Sequence, residues 1–334
     1  MRYPGPSAAL CLLLSGCNWV IGIPEHELAG AITPPFGDLE TVLEGDWAPR
    51  DLGVDQTHLF WLNEGANELT VQRAAKDAPA TVELVAEGEV YHFTNGWGLE
   101  LDGLHVFSLV GTSSGHSHVH RASKDGSGGT AFYDTGAGWV YRAFDIAGNS
   151  LVWVQRGPME SPNYPMTVFQ GSTDGAQSAI TLTEDAHGVR DVELAGGRTY
   201  YSNSGTDQIL RVQTGDAPQV VLDSMPTVSE IEVAGGFLFA ISDSGELRRW
   251  PVDGSSGAEA VSNVEDSPRG LSSDGVFVYW GNLGSGEVRA MALEGDAPQT
   301  IATGLSEPYD TAADENHVYV ADRGAGRIVR IAKP

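Results

Sequence analysis

The sequence predicts an all-β fold: a seven-bladed β-propeller of four-stranded antiparallel blades, closed by an N-terminal strand. Three observations predict it. A unit made of a tight turn, an aromatic-rich strand, a third strand, an Asp/Gly turn and a fourth strand recurs seven times, the last copy truncated. The aromatics that anchor the second strand of each unit, Phe60, Phe107, Trp153, Tyr200, Phe239, Tyr279 and Tyr319, are spaced by 47, 46, 47, 39, 40 and 40 residues. A period of about 40 residues that carries several short strands belongs to a propeller. The last unit stops after its third strand (GRIVRIAK, 326–333), while an orphan strand-like segment, Leu39–Leu43, precedes the first. Pairing 39–43 with 327–332 gives the last blade its fourth strand and leaves no unpaired ring junction.

Along the chain, residues 1–16 read as a signal peptide. Met1-Arg2 is a charged start, and the seven-residue apolar run Ala8–Leu14 is too short to cross a bilayer. Residues 17–37, from Cys17 onward, read as a flexible tether, with Pro24, Pro34, Pro35, several glycines and no periodicity. Residues 38–334 are the propeller. Each inner strand leads to a turn five residues before the anchor, at Asp55, Asp102, Gly148, Ala195, Ala234, Asp274 and Asp314. Asp-Gly, Gly-Asn and Gly-Gly pairs there admit the positive φ of hairpin turns. The second strands (HLFWL, HVFSL, LVWVQ, TYYSN, FLFAI, VYWGN, VYVAD) have the aromatic and β-branched density of strands buried between blades. The third strand carries an arginine in five of seven units: Arg73, Arg121, Arg211, Arg249 and Arg330. Such repetition predicts a structural task in every blade, pairing with an acidic turn of the neighbour. The longer early units owe part of their excess to loops at 111–117 and 155–164, and long loops on a rigid scaffold often carry recognition.

With 45 acidic against 19 basic residues, the formal charge is −26. That field repels nucleic acid and anionic headgroups, so no nucleic-acid partner is expected. The acidity serves solubility or divalent-cation binding; no segment has the D-x-D-x-D-G spacing of a calcium loop. Cys11 and Cys17 are the two cysteines. Cys11 lies within the signal segment and would leave with it, so a single cysteine would remain and stability is expected to rest on packing without an internal disulfide.

Two resemblances follow from particular residues. Leu14-Ser15-Gly16-Cys17 resembles the lipobox of bacterial lipoproteins. This implies cleavage before Cys17, lipidation of that residue, export, and attachment to the membrane through acyl chains alone. Asn18, in place of an aspartate, points to the outer membrane. Tyr279-Trp280-Gly281-Asn282, Phe60-Trp61-Leu62-Asn63 and the third-strand segment GEVRAMALEG resemble YWTD/NHL-type propeller repeats, a broad group that includes the virginiamycin-B-lyase-like bacterial propellers. The likeness covers residues 39–334 and speaks to architecture, because the group spans receptors, scaffolds and a few enzymes.

Propeller ligands sit at one mouth of the central channel. The residues leading into the inner strands place Arg50, Asp51, Arg142, Arg190, Asp191, Glu230, Arg269, Tyr309 and Asp310 there as a polar ring, beside Gly96-Trp97-Gly98. Convergent polar groups in a concavity form a candidate ligand site; the same charges can instead pair with one another across blades and order the loops. His116, His118 and His120 alternate as metal ligands on a strand would. However, i and i+2 lie roughly 7 Å apart and i and i+4 roughly 13 Å, and no carboxylate partner is apparent. No nucleophile motif or phosphate loop occurs, and no cofactor is expected beyond a divalent cation as an open alternative. The leading expectation is a monomeric, non-enzymatic envelope module for a protein, peptide or glycan partner. The alternative, implied by the lyase resemblance, is a lyase or lactonase acting at the channel mouth with His187, Glu230 or Asp310 as acid or base and a divalent metal.

Overall fold

The computed structural model describes residues 36–65, 68–77, 81–89, 98–111, 117–132, 140–156, 166–295 and 297–334. The signal segment, Cys17, the tether to residue 35, Gly96-Trp97, His116 and residues 112–116 and 157–165 of the two long loops lie outside the described residues. Seven antiparallel blades surround a common axis, built, among the described residues, from 28 short strands and one 3-10 turn at Arg323–Ala325. The inner strands are Pro49–Val54, Leu99–Leu101, Val140–Ala147, Val192–Ala195, Val228–Ala234, Pro268–Ser273 and Pro308–Ala313. Blades 1 and 2 are joined into one sheet by a single bridge, Glu89 to Gly111.

The expected closure is present. Leu39–Glu44 pairs antiparallel with Arg327–Ala332, Leu39 opposite Ile331 and Glu44 opposite Arg327. Leu43 is buried with Trp61, Tyr319 and Ile328, so this strand fills the junction between blades 7 and 1. Arg330 bonds both oxygens of Glu40, at 2.8 and 3.0 Å.

The apolar core is divided by the ring. Seven clusters of buried side chains are present, each lying at one junction between adjacent blades. Alternation along a strand explains this, since neighbouring residues point to opposite faces. Phe60 packs toward blade 2 and Trp61 toward blade 7. Tyr279 packs toward blade 7 and Trp280 toward blade 5.

Trp153 breaks this pattern and corrects the sequence reading. The other six anchors face the following blade, but Trp153 packs against Phe107 of the preceding blade, while Val152 and Val154 face blade 4. The true equivalent of the anchors is Val152, which pairs with Asp145 and Gln170. A one-residue offset transfers every side chain to the other face, and the large aromatic masked it.

The third-strand arginines have the expected structural task, with different partners. Each lies opposite its anchor. Four reach backbone carbonyls in the next blade rather than an acidic side chain: Arg73 to Lys124 O (2.5 Å), Arg121 to Thr173 O (2.9 Å), Arg211 to Val252 O (3.1 Å) and Arg249 to Leu293 O and Gly295 O (2.8 and 2.9 Å). The carboxylates that bind Arg73 and Arg249, Glu83 and Glu259, stand on the fourth strand of the same blade.

The turns after the inner strands divide by chemistry. Where they begin with Asp55, Asp102, Asp274 or Asp314, the carboxylate accepts two backbone N–H groups ahead of it, as Asp314 does from Asn316 and His317 at 2.8 Å. Where they lack it, glycine supplies positive φ, as at Gly235 (58°) and Gly236 (84°).

Three of these aspartates also bind a lysine of an adjacent blade: Asp55 with Lys124 (3.0 Å), Asp314 with Lys76 (2.6 Å) and Asp274 with Lys333 (2.5 Å). These are all the lysines in the chain. Burial pushes the Asp55 and Asp314 carboxyls up, but backbone N–H groups and the lysines outweigh it and hold both at about 2. Their stabilisation is therefore present above the unfolded value of about 4 and is lost as the pH falls toward 2. Replacing Lys76 and Lys124 together by methionine is expected to cost about 2–3 kcal/mol at pH 7 and to flatten the fall of Tm between pH 4 and about 2, read by calorimetry.

Candidate functional site

The inner strands enclose a channel whose cavity measures about 730 Å³. Bulges shape its mouth. In blades 3, 5 and 7 an extra residue, Arg142, Ser229 or Tyr309, sits between residues that pair normally with the second strand. A bulge re-aims a side chain, and here it frees Tyr309 for the rim. Arg50, Asp51, Arg190, Asp191, Glu230, Arg269, Tyr309 and Asp310 all line the cavity. Arg142 lies on the inner strand of blade 3, its side chain outside the description. His187 is not among the lining residues. His118 and His120 stand on the third strand of blade 2 with ring centroids 6.3 Å apart, and burial, then His118, pushes His120 down. Among the described residues, no three potential ligands are grouped to hold a metal.

The rim is cross-linked between blades. Arg190 of blade 4 and Arg269 of blade 6 both bind Asp243 of blade 5, the latter at 2.8 Å. Between blades 7 and 1, Arg323 binds Glu64 (3.4 Å) and Arg50 donates to the Tyr309 hydroxyl (3.0 Å), while Arg50–Glu64 (2.5 Å) and Arg323–Glu307 (2.8 Å) pair within blades 1 and 7. The guanidinium groups of Arg50 and Arg323 lie 5.2 and 5.6 Å from the centre of the Tyr309 ring. Favourable cation–ring contact adds to the ion pairs there.

Inside the rim, carboxylates fasten one blade to the next. Asp310 accepts the N–H of Leu52 (2.6 Å), Asp191 that of Ile231 (2.8 Å) and Glu230 that of Leu271 (2.8 Å). Asp145 does the same for Leu194 (2.6 Å). At the junction of blades 6 and 7, hydroxyls replace the acid: Thr311 donates to Gly270 O and contacts Ser272, both at 2.6 Å.

A deeper layer was missed in the sequence. The residues opposite the corrected anchors are Gly53, Glu100, Asp145, Glu193, Glu232, Ser272 and Ala312. Each stands seven positions before its anchor, a spacing that would have revealed the layer had the inner strands been aligned beyond their first residues. Blades 2 to 5 thus present a crescent of four carboxyls, and blades 6, 7 and 1 a wall of small residues.

These acids raise one another's proton affinity. Burial, then the charge of Asp145, pushes Glu232 up to about 8. Burial pushes Asp145 to about 7, against the pull of two backbone N–H groups. Burial, then Glu230, lifts Asp51 to about 7 despite Arg50. Burial, then Asp145 and other channel acids, raises Glu100 and Glu193 well above the usual carboxylate range. A carboxyl raised in the folded state costs nothing below its unfolded value and destabilises progressively as pH climbs through its folded value. Tm is therefore expected to fall between pH 5 and pH 8.5, with greatest stability near pH 5; a flat profile across that range would contradict the raised affinities.

No known protein family and no curated protein matches the chain. The computationally designed Ika8 protein is similar in fold, with a TM-score of 0.57 at 13% identity, covering 89% of this chain and 100% of the designed one. A chain of the nidogen/laminin complex gives a TM-score of 0.47 at 13% identity, covering 67% of this chain and 91% of its own.

Proposed function

We propose that the protein is an exported, lipid-anchored binding module of the bacterial cell envelope, which presents the channel mouth to a protein, peptide or glycan partner. The observation that carries this reading is the rim. It is a rigid, cross-bladed arrangement of Arg50, Arg190, Arg269 and Tyr309 over an open cavity, with polar groups aimed from several blades at one volume. The carboxylates that would serve as acid or base in a lyase, Glu230 and Asp310, are occupied as acceptors of Leu271 and Leu52 N–H, and the one histidine considered for that chemistry stands off the cavity. The Leu14-Ser15-Gly16-Cys17 motif supports the anchor, and the tether would let the mouth face a partner away from the bilayer.

Two measurements test the reading. Metabolic labelling with an alkyne fatty acid is expected to mark the wild type and not Cys17→Ala. Envelope pull-downs are expected to retain a partner that Arg190→Glu/Arg269→Glu loses. Both rim arginines are partly exposed, so the variant is expected to keep its fold by circular dichroism. Unchanged retention by the rim variant would sink the mouth as the binding face.

A further inference from the structure

Among the described residues, six of the seven blade junctions are crossed by a cation at the turns that follow the inner and third strands. Strand direction alternates within a blade, so these turns stand at the end of the ring opposite the mouth. Arg73, Arg121, Arg211 and Arg249 reach carbonyls of the following blade. Lys333 crosses from blade 7 to Asp274 of blade 6, and Lys76 from blade 1 to Asp314 of blade 7. The junction of blades 3 and 4 differs. Gln170 stands there at the arginine's register, opposite Val152, and its amide oxygen accepts the hydroxyl of Thr214 at 3.0 Å. Thr214 lies three residues after Arg211, as Thr173 lies after Gln170 and Val252 after Arg249. Its carbonyl is therefore the counterpart of those that receive a guanidinium elsewhere. A cavity of about 320 Å³ opens at this place, lined by Gln170, Thr214, Asp174 and Ile180 among others, and no arginine, lysine or histidine is among the described residues on its wall.

We propose that the junction of blades 3 and 4 is a seat for an arginine side chain of a partner polypeptide. The guanidinium takes the place that an internal arginine holds at four other junctions, between Thr214 O and the Asp174 carboxylate. Asp174 is the charged group on the cavity wall. It is fixed there by the Ser172 hydroxyl (2.6 Å) and the Ala176 N–H (2.9 Å), both of which it accepts. Arg121, which acts on Asp174 from the junction of blades 2 and 3, is committed to Thr173 O (2.9 Å) and does not line the cavity. Ile180 pairs with Gln170 where blades 1 and 5 carry Glu83 and Glu259. At 43% exposure it offers apolar surface to the hydrocarbon stem of an arginine that enters from outside. A planar fork reaches a carbonyl and a carboxylate together, which the point charge of a lysine does not. The charge of −26 favours the approach of a basic partner. The seat lies on the face opposite the mouth and stands whether or not the mouth is a binding face.

Titration of the full chain with acetyl-arginine methylamide at low salt, followed by amide chemical shifts, tests the seat. Binding is expected at about millimolar concentration, with the largest shifts at the Gln170 side-chain amide and the Thr214 N–H. Acetyl-lysine methylamide is expected to bind at least about threefold more weakly. Gln170→Arg supplies the missing guanidinium from within. Its Tm is expected to rise by about 2 °C, and its affinity for the arginine probe to fall about tenfold or more. Asp174→Asn is expected to weaken binding about threefold. Asp253→Asn removes the same charge from the equivalent turn of blade 5, where Arg211 already fills the junction, and is expected to change binding by less than about 1.5-fold. Absence of binding, equal binding of the lysine probe, undiminished binding by a folded Gln170→Arg, or equal weakening by Asp174→Asn and Asp253→Asn would each overturn the proposal. If Gln170→Arg does not fold, the two aspartate variants decide. Free arginine binding more tightly than its capped form would overturn a polypeptide as the source of the side chain.

Discussion

A chain that starts at Gly45 is expected to lose the cooperative unfolding of the ring, whereas one that starts at Phe36 is expected to keep it. The nine residues between these starts include the fourth strand of blade 7. Its removal strips the ladder from Arg327–Ala332, exposes the face that Leu43 covers, and leaves Arg330 without Glu40. One buried leucine is worth about 1.5–3 kcal/mol, and the lost ladder adds to that. The total, on the order of 5 kcal/mol, is comparable with the stability of a whole domain. Calorimetry is expected to show a Tm lower by more than about 10 °C for the shorter chain, with a broadened transition. Equal transitions for the two chains would mean that the strand is an accessory to the ring and not its closure.

Asp322→Ala is expected to be the most damaging single substitution near the rim. The carboxylate is fully buried at the end of the second strand of blade 7. It accepts the N–H groups of Ser306 (2.8 Å) and Glu307 (2.9 Å) and the Nε–H of Arg327 (2.8 Å). Removing it strands two backbone donors and a guanidinium, a loss of about 3–5 kcal/mol. The effect should extend to the mouth, since Ser306 and Glu307 lead directly into Tyr309 and Asp310. Asp322→Asn should cost less. Blade 1 already uses an amide at the equivalent place, where Asn63 accepts the N–H of Ala48 at 2.8 Å. Urea denaturation of the two variants is expected to rank wild type above Asn above Ala, and an alanine variant as stable as wild type would refute the assignment.

The ring and its closure were legible because both depend on periodic burial. Phe60, Tyr200 and Tyr279 recur where a strand is pressed between two blades, and no local alternative competes with that pattern. Trp153 misled because bulk was taken for register: a tryptophan suits either face of a strand so enclosed, and Val152 carries no visual weight in the sequence. The rim was found because arginines are scarce and cluster before the inner strands. The partners of those arginines were not: Asp243, which binds Arg190 and Arg269, comes from a turn of another blade, and Glu64, which binds Arg50, comes from the end of the next strand, where no charge pattern marks it. The acidic crescent escaped for a third reason. Glutamate in a strand normally signals a solvated face, and only a closed ring turns that face inward.

The three lysines have a further use. Each is bound across a blade junction with its side chain largely covered, at 10, 15 and 13% exposure for Lys76, Lys124 and Lys333. The junctions they span are those between blades 7 and 1, 1 and 2, and 6 and 7, which flank the closing strand. Acylation of a lysine requires its free amine to leave the aspartate. The rate at which an amine-directed reagent marks each of these positions, read by mass spectrometry, is then a clock for the opening of one named seam. The molecule carries its own reporters at the place where the ring is joined, and coupling it to a surface through amines would pry at that same place.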